Sequence, residues 1–192
     1  MTTIQKTMAV LGMATLLVAC TDAAKAPAEA AMKAAETAMG DLKGEVLKLA
    51  PAEVKAAQDA FAGAKALIAK EDYKGALAAA GEIPAKVKAA LAAAAAKKDA
   101  LVKAFNEAIG SLPNMAAAIK SRLDILGQAK KLPAGVDKAG LEKAKEGLAG
   151  LESGIAKATE QFKGGAMDEA IAQAGALKAK GMEIMKAIGL SQ

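Results

Sequence analysis

The chain has 192 residues, with 26 lysine and arginine side chains against 21 carboxylates and a formal net charge of +5, too mild a bias to point at a polyanion by itself. It has no histidine, no tryptophan and one cysteine, and aromatic residues make up 2%. Those absences remove the commonest general base, histidine-based triads and the usual zinc sites. They also remove the stacking platforms that bases need. Arg122, the single arginine, leaves bidentate phosphate reading with almost no donor. No enzyme activity, no metal, no cofactor and no nucleic-acid partner are expected.

The first element is an apolar run, Met8 to Ala19, behind a lone cation, Lys6. It is about a dozen residues long, whereas a membrane-spanning helix takes roughly 20. A short apolar core behind a positive flank, ending in small residues, has the pattern of a secretory signal peptide. The only cysteine, Cys20, closes the run. A single cysteine in an exported chain can neither pair internally nor stay safely reduced, so its position asks for a chemical explanation.

The stretch Leu17-Val18-Ala19-Cys20 resembles the lipobox of bacterial lipoproteins. The resemblance implies cleavage before Cys20, which then carries a thioether-linked diacylglycerol and an amide-linked acyl chain. Several acyl chains at about 0.8 kcal/mol per buried methylene form a stable anchor in a lipid bilayer. Thr21 follows the cysteine and Asp22 comes one place later. By the same resemblance, this implies export to the outer membrane, facing the periplasm. The chain is accordingly divided into a signal peptide, 1–19, a lipidated N-terminus with a short linker, 20–28, and an alanine-rich helical domain, 29–192.

From Ala23 onward the strongest helix formers dominate. Larger apolar residues recur at steps of three and four. One row runs Met32, Ala35, Met39, Leu42, Val46 and Leu49, and another Val54, Ala57, Phe61, Ala64 and Ile68. A third runs Leu141, Ala144, Leu148, Leu151, Ile155, Ala158 and Phe162, and a fourth Met167, Ala170, Ala174, Leu177, Gly181, Ile184 and Ile188. Such rows make one seam per helix and predict bundle or coiled-coil packing. Pro51, Asp72, Ser111-Leu112-Pro113-Asn114, Leu132-Pro133-Ala134-Gly135 with Asp137, and Gly164-Gly165 supply turns and caps. The expected fold is all-α, an elongated antiparallel bundle of about six helices: 26–49, 52–70, 73–110, 114–130, 138–163 and 166–188. Pro84 should kink or split the third.

The stretch Tyr73 to Gly81 aligns with Met167 to Gly175, and Val54, Phe61 and Ile68 with Leu148, Ile155 and Phe162. This predicts two copies of a helical hairpin, 51–98 and 145–192. The turn Lys70-Glu71-Asp72-Tyr73-Lys74-Gly75-Ala76-Leu77 looks like part of a tetratricopeptide hairpin, although the tryptophan, glycine and tyrosine pattern of that family's first helix is missing from 51–70. The lipobox, the Ala-Pro-Ala-Glu stretch, the alanine and lysine helix and the Asp-Tyr turn together are similar to small alanine-rich helical-hairpin lipoproteins of uncharacterised function. That likeness covers residues 1–100, implies an envelope location and a helical fold, and carries no site residues.

Lys98 shares a register with Leu91 and Phe105, so its stem is expected along the seam with its amine in water. Met32, Met39, Met182 and Met185 are expected to fill the core rather than to bind copper. The lysine-rich faces are expected to be solvated, with peptidoglycan or anionic lipid as contacts they could make. These features predict a lipid-anchored envelope protein acting as a structural or protein-interaction module. The alternatives are a periplasmic module holding an apolar or anionic ligand between hairpins, and a stress-related holdase.

Overall fold

The computed structural model describes residues 23–190, and within them the chain is all helical, with no strand. Six long helices and one four-residue helix follow in order: α1 (Lys25–Met39), α2 (Val46–Leu49), α3 (Pro51–Ala69), α4 (Tyr73–Ile109), α5 (Leu112–Gln128), α6 (Lys138–Lys163) and α7 (Met167–Ala187). Two of the starts are fixed by an aspartate. The Gly75 N–H donates to Asp72 Oδ1 at 2.9 Å and the Gly140 N–H to Asp137 Oδ1 at 2.6 Å, each satisfying a donor that the first turn would leave unpaired. Ser111, expected as a cap, makes no such side-chain bond, and Pro113 in the first turn marks that start instead.

The expected continuous helix over 26–49 is corrected by the structure. It stops at Met39, turns through Gly40 to Glu45 and resumes as α2. Gly44 adopts a left-handed φ of 62°, which glycine takes without steric cost. The spacing hid this break because Leu42 stays in phase with Ala35 and is buried inside the turn itself. Pro84, in contrast, does not split α4, which remains helical through Ile109. The lost N–H bond and ring clash cost about 3 kcal/mol in a helix interior. Burial of Ala80, Ile83 and Val87 around that turn offsets this cost.

Two three-helix units share α4 as their spine. In the first, α1, α3 and the N-terminal part of α4 close around Ala35, Val54, Ala57, Ala64, Ala80 and Ile83. In the second, α5, α6 and α7 close around Leu112, Ile119, Leu148, Leu151, Leu177 and Ile184. The C-terminal part of α4 leaves the first unit and packs on α7, burying Phe105 with Ala158 and Ala170. With 37 residues, α4 is ~56 Å long.

The units differ in what fills them. Corresponding core positions hold Ala57 and Leu151, Ala90 and Ile184, Ala94 and Ile188. Small residues in the first unit allow its helix axes to approach toward the ~8 Å end of the usual range. In the second, α6 receives α7 in glycine notches: a Cβ on Gly147 would lie 2.8 Å from Ile184 Cδ1, and one on Gly154 2.5 Å from Leu177 Cδ2. No helix among the described residues is long and apolar enough to cross a membrane.

Candidate functional site: an apolar groove beside the chain's entry

The residues expected to direct cleavage and lipidation, Leu17, Val18, Ala19 and Cys20, lie outside the described residues. The described chain leads into α1 at the turn between α3 and α4, where Lys25 Nζ sits 5.7 Å from the centre of the Tyr73 ring. That turn has a defined hydrogen-bond pattern. The Glu71 N–H donates to the Ile68 carbonyl and the Asp72 N–H to the Leu67 carbonyl, both at 3.0 Å. These are the two bonds of a Schellman C-cap, with Glu71 in the left-handed position at φ 59°.

Beside this turn runs a groove of about 430 Å³ between α1 and α3. Its floor is Met32, Phe61 and Ile68, and its rim is Glu29, Lys33 and Glu36 from α1 with Lys65 from α3. Lys65 Nζ lies 4.4 Å from the Phe61 ring centre, so the cation covers part of the aromatic face. The rim carries two acids and two lysines and is neutral overall. The volume falls in the ~300–1,000 Å³ range of small-molecule sites, and a floor of large apolar side chains under a few charges has the usual composition of one.

Sequence periodicity placed Met32, Phe61 and Ile68 in seams, which they occupy, but it treated a seam as a closed core. Each is only half-buried, because among the described residues no third helix covers the α1–α3 side at this level. A smaller groove of about 340 Å³ runs between α5 and α6, lined by Pro113, Ala116, Ala117, Lys120, Glu152 and Ile155. It occupies the corresponding place in the second unit, since Ile155 aligns with Phe61. Against known family models, curated proteins and solved structures, the chain matches none.

Two sequence expectations change here. Lys98 is exposed rather than laid in the seam, and its amine meets Glu45 Oε2 at 2.6 Å. This ion pair joins α4 to the residue that precedes α2, which lies near the α6–α7 turn. Met32, Met39 and Met185 pack beside buried clusters, but Met182 is 40% exposed and fills no core. Among the described residues no His, Cys, Asp and Glu side chains gather into a group able to hold a metal ion.

Proposed function

We propose that this chain is a lipid-anchored envelope protein whose helical body acts as a structural or protein-interaction module. One juxtaposition carries the reading. The Leu17-Val18-Ala19-Cys20 motif ends five positions before Lys25, so an acylated Cys20 would tether the body at the α3–α4 turn. A long two-unit bundle held at one end presents helix faces and two grooves to neighbours in the same compartment. An outer-membrane location facing the periplasm belongs to the same proposal.

Mass spectrometry of the N-terminal peptide, taken from protein extracted from its own membranes, tests it. The expected mass is that of Cys20 with a diacylglycerol and an amide-linked acyl chain. A free thiol, or cleavage at another bond, overturns the reading.

A second reading is supported by the α1–α3 groove: a binding module that takes an apolar or anionic ligand, with Met32, Phe61 and Ile68 against the apolar part and Lys33 or Lys65 on the charge. Native mass spectrometry of protein purified from its host checks this. The expected result is a bound mass lost when Phe61 is replaced, and consistently bare protein counts against it.

A further inference from the structure

The two hairpins, α3–α4 and α6–α7, make the same turn but differ in what covers their tips. In the second, the Phe105 ring from α4 stacks on Phe162 at 4.2 Å with 14° between planes. Ile109 and Ile171 pack into the same small cluster, and Met167 is buried. The residues in the corresponding places on the first hairpin are Ile68 for Phe162, Leu77 for Ile171 and Tyr73 for Met167. Leu77 is 38% exposed, and Ile68 and Tyr73 are half-buried. Among the described residues, the same turn that is roofed in one unit lies open in the other.

The position of the missing roof can be read from the fold. α1 stands before the first hairpin as α5 stands before the second, with Ala28, Ala35 and Leu42 buried in the register of Leu112, Ile119 and Leu126. Phe105 lies seven residues before Leu112, one turn before α4 ends. The corresponding position in the first unit precedes the described residues. The described chain enters α1 beside this tip, with Lys25 near Tyr73.

We propose that this open tip lies against the surface of a bilayer containing anionic phospholipid, so that the molecule stands on its α3–α4 turn. The inference rests on the anchoring reading above. Lys25 lies five residue steps after Cys20, a reach of at most ~18 Å, so an acylated Cys20 keeps the tip within that distance of the acyl chains. The chemistry of the tip suits the interface. Leu77 offers an apolar side chain, and Tyr73 an apolar ring with a polar end, the type of side chain that settles at headgroup level. Lys25, Lys70 and Lys74 flank them in the sequence of the tip, and lysines near an anionic surface are drawn to it. Glu71 and Asp72 oppose part of this attraction, and Asp72 is engaged in capping α4.

Tyr73 is the only tyrosine in a chain without tryptophan, so intrinsic fluorescence reports on this tip alone. The test uses the full acylated protein from membranes, reconstituted into vesicles of phosphatidylethanolamine and phosphatidylglycerol with brominated or ordinary acyl chains. The expected result is loss of most tyrosine emission in the brominated vesicles. A Tyr73→Phe, Lys131→Tyr double variant, whose probe sits in the loop after α5, should keep its emission. Leu77→Asp should relieve the quenching with the helical circular dichroism unchanged. Acylated, vesicle-bound protein whose Tyr73 emission does not change overturns the inference and leaves the anchor standing. A bare Cys20 by mass overturns the anchor, and the inference with it.

Discussion

Glu71 and Gly165 hold the same left-handed position at the ends of α3 and α6, with φ of 59° and 89°. The bonds around them match as well. The Gly165 N–H donates to the Phe162 carbonyl at 3.1 Å and the Ala166 N–H to the Gln161 carbonyl at 3.0 Å, repeating the pattern at Glu71 and Asp72. Only one of the two residues suits the conformation, because a Cβ in the left-handed region crowds the neighbouring carbonyl. Glu71→Gly is expected to stabilise the protein by about 0.5–1 kcal/mol, and Gly165→Ala to destabilise it by ~1 kcal/mol. Urea titration followed by circular dichroism checks both, and equal signs for the two substitutions would refute the argument.

The glycine notches on α6 give a second expectation. A methyl group at Gly147 or Gly154 would run into Ile184 or Leu177, both buried between α6 and α7. Both neighbours are buried and branched, so each alanine substitution should cost about 1–3 kcal/mol through overpacking. Gly181 is a useful contrast. A Cβ there meets Met115, whose unbranched chain can turn aside, so Gly181→Ala should cost less. Thermal unfolding of the three variants ranks them, and Gly181→Ala as the worst would sink the idea.

Phe105 joins the two units. It is 6% exposed, stacks on Phe162 and packs against Ala158 and Ala170. Phe105→Ala should therefore cost about 3–5 kcal/mol. The nearby Lys98–Glu45 ion pair, with both side chains about half exposed, should contribute at most ~1 kcal/mol when broken by Lys98→Ala. Denaturant midpoints measured on both variants check this ranking, and a larger shift for Lys98→Ala than for Phe105→Ala would overturn it.

Much of this fold could be read from residue spacing. Val54, Ala57 and Ala64, and Leu141, Ala144, Leu148, Leu151 and Ala158, are buried where the three- and four-step rows place them. Asp72 and Asp137 cap as their positions suggest. The break after Met39 was hidden because Leu42 keeps the register across it, and only Gly40 and Gly44 signalled it. The α1–α3 groove was hidden for a different reason. Periodicity tells which side of a helix is apolar, but not how many neighbours arrive to cover it. Phe61 and Ile155 occupy aligned seam positions, yet the grooves they line, about 430 Å³ and 340 Å³, depend on side chains contributed by α1 and α5.

Phe61 separates packing from recognition more cleanly than any other seam residue. Its ring is half-buried and lines the groove, with Lys65 over it. Truncation removes a cation–π contact of about 0.5–1 kcal/mol and part of the ring's burial. Phe61→Ala is thus expected to lose only about 1–2 kcal/mol, well short of the cost at fully packed Phe105. If the groove receives a ligand or a partner side chain, the same variant should lose most of its binding while staying folded. Native mass spectrometry reads the ligand, and photo-crosslinking from position 33 in intact cells reads the partner. Unchanged binding in a folded Phe61→Ala protein would move the recognition surface away from α1 and α3.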